Sequence, residues 1–284
     1  MSGLAHAYFE VTDDGLLPGP LTASRWSTEM VTGPAVCGAL ARALEQGHGG
    51  DGLQPSRFTV DLFRPIRTTP FTTRTTLVRD GNRIRVADVE LVQDGRVAAR
   101  ASLVLLRPSS PPPGEVWSSE HHLDPPPPDL MEDGPPGWGG TAGAWFASDG
   151  HPGGWTRSMA DHQSATRTRM WAQFPAVVAG EDSSPFVRAA MQAEATSLVT
   201  NWGSAGVGYI NADLTLALAR LPQGVVLGLE ADGHLNAAGL AVGTATLFDL
   251  LGPIGTCTVV ALSNAQRQVD FSAVTDARPP AATT

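Results

Sequence analysis

Three carboxylates and one threonine stand where acid–base chemistry could be done. Asp213 opens an otherwise apolar segment and is flanked by Leu214 and Leu216, while Glu194 sits among Ala190, Met191, Ala193 and Leu198 in a segment with helical texture. Asp232 belongs to an Asp-Gly pair, and Thr258 lies in the β-rich run IGTCTVVAL. A carboxylate held in an apolar cleft can take a proton from water and make it a nucleophile. The same residue types also have plainer uses: Asp turns the chain, Asp-Gly closes hairpins, and Glu solvates a helix face. The residue types alone leave both uses open.

Other chemistries find less support. There is no Gly-x-Ser-x-Gly elbow of the α/β-hydrolase kind, and no Asp-x-Asn-Pro-x-His pattern. The seven histidines show no metal-ligand spacing; His121, His122, His151, His162 and His234 read as surface residues. Cys37 and Cys257 lie far apart in apolar surroundings, as two reduced, buried small hydrophobes would. The net charge of −9 argues against nucleic acid as a partner, although all 19 basic residues are Arg and nine of them fall between Arg64 and Arg107. That local run would suit a phosphate-bearing ligand, or simply the exposed face of strands. No apolar run reaches the ~18 to 20 residues of a membrane span, and MSGLAHAYFEV lacks the pattern of a secretory signal, so a cytoplasmic protein is expected.

The elements that must position these side chains can be read from periodicity. Thr32–Gly47 has Pro34 in its first turn, Val36, Leu40 and Leu44 on one stripe, and Gly47 to end it, which predicts a buried helix. RFTVDLFRP, FTTRTTLVRDG, NRIRVADVELVQDG and RVAARASLVLLRP alternate as strands, with turns at Asp80-Gly81 and Asp94-Gly95. A stretch rich in Pro and Gly, residues 109–140, then reads as a linker that neither helix nor central strand can cross. Beyond it the order repeats: WTRSMADHQ and TRTRMWAQF as strands, a helix over SPFVRAAMQAEATSLVTNWG with Ser183 or Ser184 as cap, then NADLTLALARLP, GVVLGLEADG, LNAAGLAVGTATLFDLLG and IGTCTVVAL. Arg64-Pro65 in the first half corresponds to Arg220 with Pro222 in the second. The expected fold class is α+β, with an N-terminal unit over 1–108 and a C-terminal unit over 141–284.

Taken in order, VTGPAVCGAL, VDLFRP, the meander LVRDGNRIRVADVELVQDGRVAARASLVL, MWAQFPAVVAGEDSSPFVRAAMQAEA and NADLTLALARLP resemble acyl-CoA thioesterase II and its thioesterase-like relatives. The resemblance implies a double hotdog: two curved antiparallel sheets, each wrapped around a central helix. It also implies hydrolysis of an acyl-CoA or other acyl thioester, no cofactor, and a homo-oligomer. In that family an Asp, a Thr or Ser, and a Gln hold the water. The Asp position falls on Asp213, the hydroxyl position on Asp232 and the Gln position on Val260, so two of the three depart from the pattern. Thr258, on the same strand face as Val260, could compensate, and Glu194 occupies a helix position where relatives often carry Asp. At the place of Asp213 the first half has Arg57, which would put catalysis in the second half. Those departures leave two further expectations: binding of an acyl thioester or hydrophobic ligand without turnover, and a tailoring reaction on a carrier-bound substrate.

Overall fold

The computed structural model describes residues 6–118, 120–132 and 143–272. The first half opens with β1 (Ala7–Thr12) and β2 (Gly15–Pro18), followed by helix α1 (Gly33–His48) and strands β3 (Gln54–Leu62), β4 (Thr72–Asp80), β5 (Ile84–Gln93) and β6 (Arg96–Leu106). A short helix, α2 (Pro128–Glu132), and strands β7 (Ala144–Ser148), β8 (Thr168–Ala172) and β9 (Ala176–Val178) lead to α3 (Pro185–Glu194) and α4 (Thr196–Asn201). Two minor strands, β10 (Trp202–Gly203) and β11 (Gly206–Val207), then precede β12 (Tyr209–Asn211), β13 (Asp213–Leu218), β14 (Leu227–Ala237), β15 (Leu240–Asp249) and β16 (Gly252–Ser263).

The expected pair of separate sheets is corrected by the pairing of β3 with β13, which joins both halves into one 11-stranded sheet. Outward from that seam the order is β3-β6-β5-β4 on one side and β13-β16-β15-β14 on the other, so the halves mirror each other. The join has a simple cause. Each inner strand alternates apolar residues toward the helices with polar ones away: Phe58 and Val60 in β3, and Leu214, Leu216 and Leu218 in β13, are buried. Pairing Leu214 with Val60 and Leu216 with Phe58 therefore makes one continuous greasy face. Phe58 meets Phe186 of α3 edge-on at 5.6 Å between ring centres.

Helix α1 lies against β4, β5 and β6, α3 and α4 lie against the second-half strands, and α1 packs on α3. Val36, Leu40 and Leu44 are buried as their stripe predicts. The helix runs past Gly47 to His48, and the left-handed backbone falls to Gly50, at φ 93°. Ser184 caps α3 by accepting from the Val187 amide at 3.1 Å. The single helix expected over 184–203 breaks at Ala195 into α3 and α4.

Other local expectations are corrected too. WTRSMADHQ holds no strand but a 3-10 turn at Ala160–His162, because Gly153-Gly154 and a run of polar residues deny it a buried stripe; the strand beside β8 is AWFAS, β7. Asp232-Gly233 is not a hairpin turn: β14 continues through it, with Asp232 as the extra residue of a β-bulge between Ala231 and Gly233. The turn lies at Ala238-Gly239, both left-handed, so LNAAGLAVGTATLFDLLG is cut in two. Asp94-Gly95 makes the expected two-residue turn, whereas β4 and β5 are joined by three residues after Asp80. Of the Pro-rich stretch, Ser119 and residues 133–140 lie outside the described residues. Its described part carries α2, where Pro128 sits at the helix start, and straps over the second half: Leu123 packs with Trp145, Trp171 and Phe248, and Trp171 Nε1 donates to the Asp124 carbonyl at 3.2 Å.

Candidate active site

A cavity of about 470 Å³ opens between the halves. One wall comes from the loop before α1 and its first turn, with Trp26, Thr32, Gly33 and Pro34; another from Leu62 to Ile66 after β3; the rest from Phe146, Glu194, Leu198, Tyr209, Asn211 and Phe271. The lining is mostly apolar with a few polar groups, the usual composition of a small-molecule site.

Glu194 is the carboxylate of this cavity. It ends α3, on a helix whose neighbouring residues Ala190, Met191 and Ala193 are fully buried, so its side chain emerges from apolar packing. Asn211 Nδ2 donates to Glu194 Oε1 at 3.3 Å. Burial pushes the Glu194 carboxyl up from 4.5 to about 7, and the Asn211 hydrogen bond pulls partly the other way. Glu194 keeps a fraction of accessible surface, as a group lining a cavity must. Burial, with the Glu194 carboxylate nearby, raises the Cys37 thiol and the Tyr8 hydroxyl well above their usual values, so both stay protonated. Cys257 is buried and raised as well.

The start of α1 faces the same carboxylate. A Cβ placed on Gly33 would come within 2.0 Å of Glu194 Oε1, so only glycine allows this approach. The first-turn amides of a helix have no intrahelical acceptor. Pro34 removes one of them and no side chain caps the end at Thr32. Helix α1 thus presents donors and the positive end of its dipole toward the cavity.

The other sequence candidates lie elsewhere. Asp213 does not line the cavity; it alternates with the buried Leu214, points away from the helices, and its Oδ1 accepts from the Val260 amide at 2.6 Å. Asp232 is exposed at its bulge and accepts from Thr246 Oγ1 at 2.9 Å. Thr258 pairs with Thr215 on one side and Thr244 on the other, in a row of hydroxyl residues on the helix-distal face. Val260 is 41% exposed on that face too. Of the four candidates the fold therefore brings only Glu194 to the cavity. Sequence reasoning missed Asn211 and Gly33. The first stands two residues before Asp213, and the Gly-Pro start of α1, part of the VTGPAVCGAL motif, does not show in sequence that Gly33 faces Glu194.

His162 is also unlike its expectation as a surface residue. It is fully buried, with Nδ1 3.1 Å from Ser148 Oγ and Nε2 3.0 Å from Thr156 Oγ1, and burial lowers it from 6.5 to about 4. Its neighbour Gln163 holds the Phe271 amide at 2.8 Å, fixing part of the cavity wall. Among the described residues no cluster could hold a metal ion, and no helix is long and apolar enough to cross a membrane.

Comparison with known proteins agrees with this architecture. Residues 22–106 match the family model of the acyl-CoA thioesterase N-terminal domain. A TesB protein from Mycobacterium avium subsp. paratuberculosis superposes with a TM-score of 0.64 at 15% identity, covering 92% of this chain and 98% of that one. Acyl-CoA thioesterase II TesB2 from Mycobacterium marinum gives 0.58 at 16% identity over 81% and 88% of the two chains. A conserved protein of unknown function with a hotdog fold from Alicyclobacillus acidocaldarius gives 0.57 at 17% over 86% and 91%. No curated protein sequence matches the chain. The fold is a hotdog, and the resemblance to acyl-CoA thioesterases read from the sequence holds: the matched model spans α1 and the β3–β6 meander, and includes the cavity-lining residues from Ala23 to Val36 and from Leu62 to Ile66.

Proposed function

We propose that the chain is a double hotdog thioesterase that hydrolyses an acyl thioester, acyl-CoA being the class its family match suggests, with Glu194 as general base. The observation that carries this reading is one half-buried carboxylate, poised to exchange a proton near neutral pH, between Asn211 and the open end of α1. The ionised carboxylate takes a proton from water as its oxygen bonds to the thioester carbon. The carbonyl becomes an oxyanion facing the first-turn amides of α1. When the oxyanion collapses, the carbon–sulfur bond breaks, and the departing sulfur recovers the proton from Glu194, leaving acid and thiol. Leu62, Leu198 and Leu262 supply apolar wall for an acyl chain.

A thiol-release assay across acyl-CoA chain lengths tests this on the wild type, Glu194→Gln and Asp213→Ala. Turnover lost in the first variant and kept in the second is expected. Turnover kept in Glu194→Gln and lost in Asp213→Ala would return the role of base to Asp213. Binding of acyl-CoA by a wild type that releases no thiol would leave a non-hydrolytic binding protein.

A further inference from the structure

We infer that the concavity beside the cavity is a phosphate subsite for the charged end of a pantetheine-bearing thiol, an inference that rests on the thioester reading above. This concavity, of about 510 Å³, shares Arg64 and Pro65 with the cavity and is further lined by Arg67, Gln93, Asp94 and Arg96. Its wall is built firmly. The backbone amides of Phe63 and Arg64 both donate to the Ala98 carbonyl, at 3.0 and 3.1 Å. The buried Gln93 side chain accepts from the Arg67 amide at 2.8 Å and donates to the carbonyls of Arg67 and Thr69 at 3.0 and 2.9 Å.

The mirrored half shows what is unusual here. Arg64 follows the end of β3 as Arg220 follows the end of β13, and Gln93 closes β5 as Asp249 closes β15. Asp249, 2% exposed, clamps Arg220 through both oxygens, the longer contact being 2.7 Å. On the first-half side the carboxylate is replaced by an amide occupied with the loop, so Arg64 is left without that counter-ion. Among the described residues Arg64 and Arg96 make no side-chain hydrogen bond or ion pair, while Arg67 pairs with Asp94. Three guanidinium groups face one carboxylate, in a chain whose net charge is −9. A guanidinium fork matches phosphate oxygens in pairs. The shared wall at Arg64 then lets the thioester end of the ligand lie in the cavity with Glu194 while its phosphate end lies outside.

Coenzyme A and the phosphopantetheine arm of a carrier protein share this chemistry, so calorimetric titration of the wild type with coenzyme A, 4′-phosphopantetheine and pantetheine separates them. Binding tighter by about tenfold for the phosphorylated ligands than for pantetheine is expected. The advantage should fade between about 50 and 500 mM salt. Tighter binding of coenzyme A alone assigns the subsite to its adenosine end; equal gain from 4′-phosphopantetheine assigns it to the phosphate common to both carriers. Arg64→Ala and Arg96→Ala should each lose the gain, with Arg64→Lys retaining part of it. Equal affinity for all three ligands, or wild-type affinity in both alanine variants, overturns the inference. Tight coenzyme A binding by a protein that hydrolyses nothing keeps the subsite and removes the hydrolase reading instead.

Discussion

At the scale of single residues the chemistry turns on which carboxylate is removed from water. Asp213 is anchored to a backbone amide on the open face of the sheet, whereas Glu194 is surrounded by protein and holds its proton to about pH 7. Glu194→Gln keeps the shape and removes the proposed base, so kcat should fall by about a hundredfold or more. The wild-type kcat/KM should rise with pH and level off above about 7, as the base ionises. The same shift carries a stability cost whose sign can be worked out. The folded state keeps the proton to about 7 and the unfolded chain releases it near 4.5, so stability falls as pH rises between those values. The cost at pH 8 is on the order of 3 kcal/mol. Glu194→Gln should therefore gain stability over the wild type at pH 8 and show little gain at pH 4, read as urea midpoints; a gain independent of pH would contradict it.

At the scale of elements, two placements decide whether the cavity holds its shape. The first turn of α1 touches the Glu194 carboxylate so closely that Gly33→Ala must displace one or the other, and a loss of activity of about tenfold or more is expected with the far-ultraviolet spectrum unchanged. The 3-10 turn beside β7 depends on a neutral His162. Its folded value of about 4 lies below 6.5, so the unfolded state takes up the proton first. The stability it provides is complete above about 6.5 and lost as pH falls toward 4. A His162→Gln variant should flatten that limb of the pH–stability curve, and an equally steep limb would show another group at work. Much of this layer was legible in the sequence. The stripe Val36, Leu40, Leu44, the Ser184 cap and the Asp94-Gly95 turn each announce a local structure because local physics decides it. What could not be read is orientation. Asp213 and Asn211 are near neighbours in sequence, yet one lies on the helix-distal face of the sheet and the other at the cavity, since the chain steps from β12 to β13 between them. Ala238-Gly239 forms the turn without a strong turn dipeptide, because β14 had already been shifted by its bulge.

At the scale of the whole molecule the seam between β3 and β13, together with α1 packed on α3, ties the halves into one core. Calorimetric and van't Hoff enthalpies of unfolding should therefore agree, with one transition; two resolved transitions would show halves that melt separately. The mirrored strand order has a further consequence for how such a cleft can change. Where a cleft is made by identical subunits, each substitution is copied to both sides, so a carboxylate introduced on one wall appears on the other as well. Here Glu194 and Gly33, or Asp249 and Gln93, stand on unlike sides of one continuous chain, so each wall is free to vary alone, and a single asymmetric ligand can be met by charge on one flank and grease on the other.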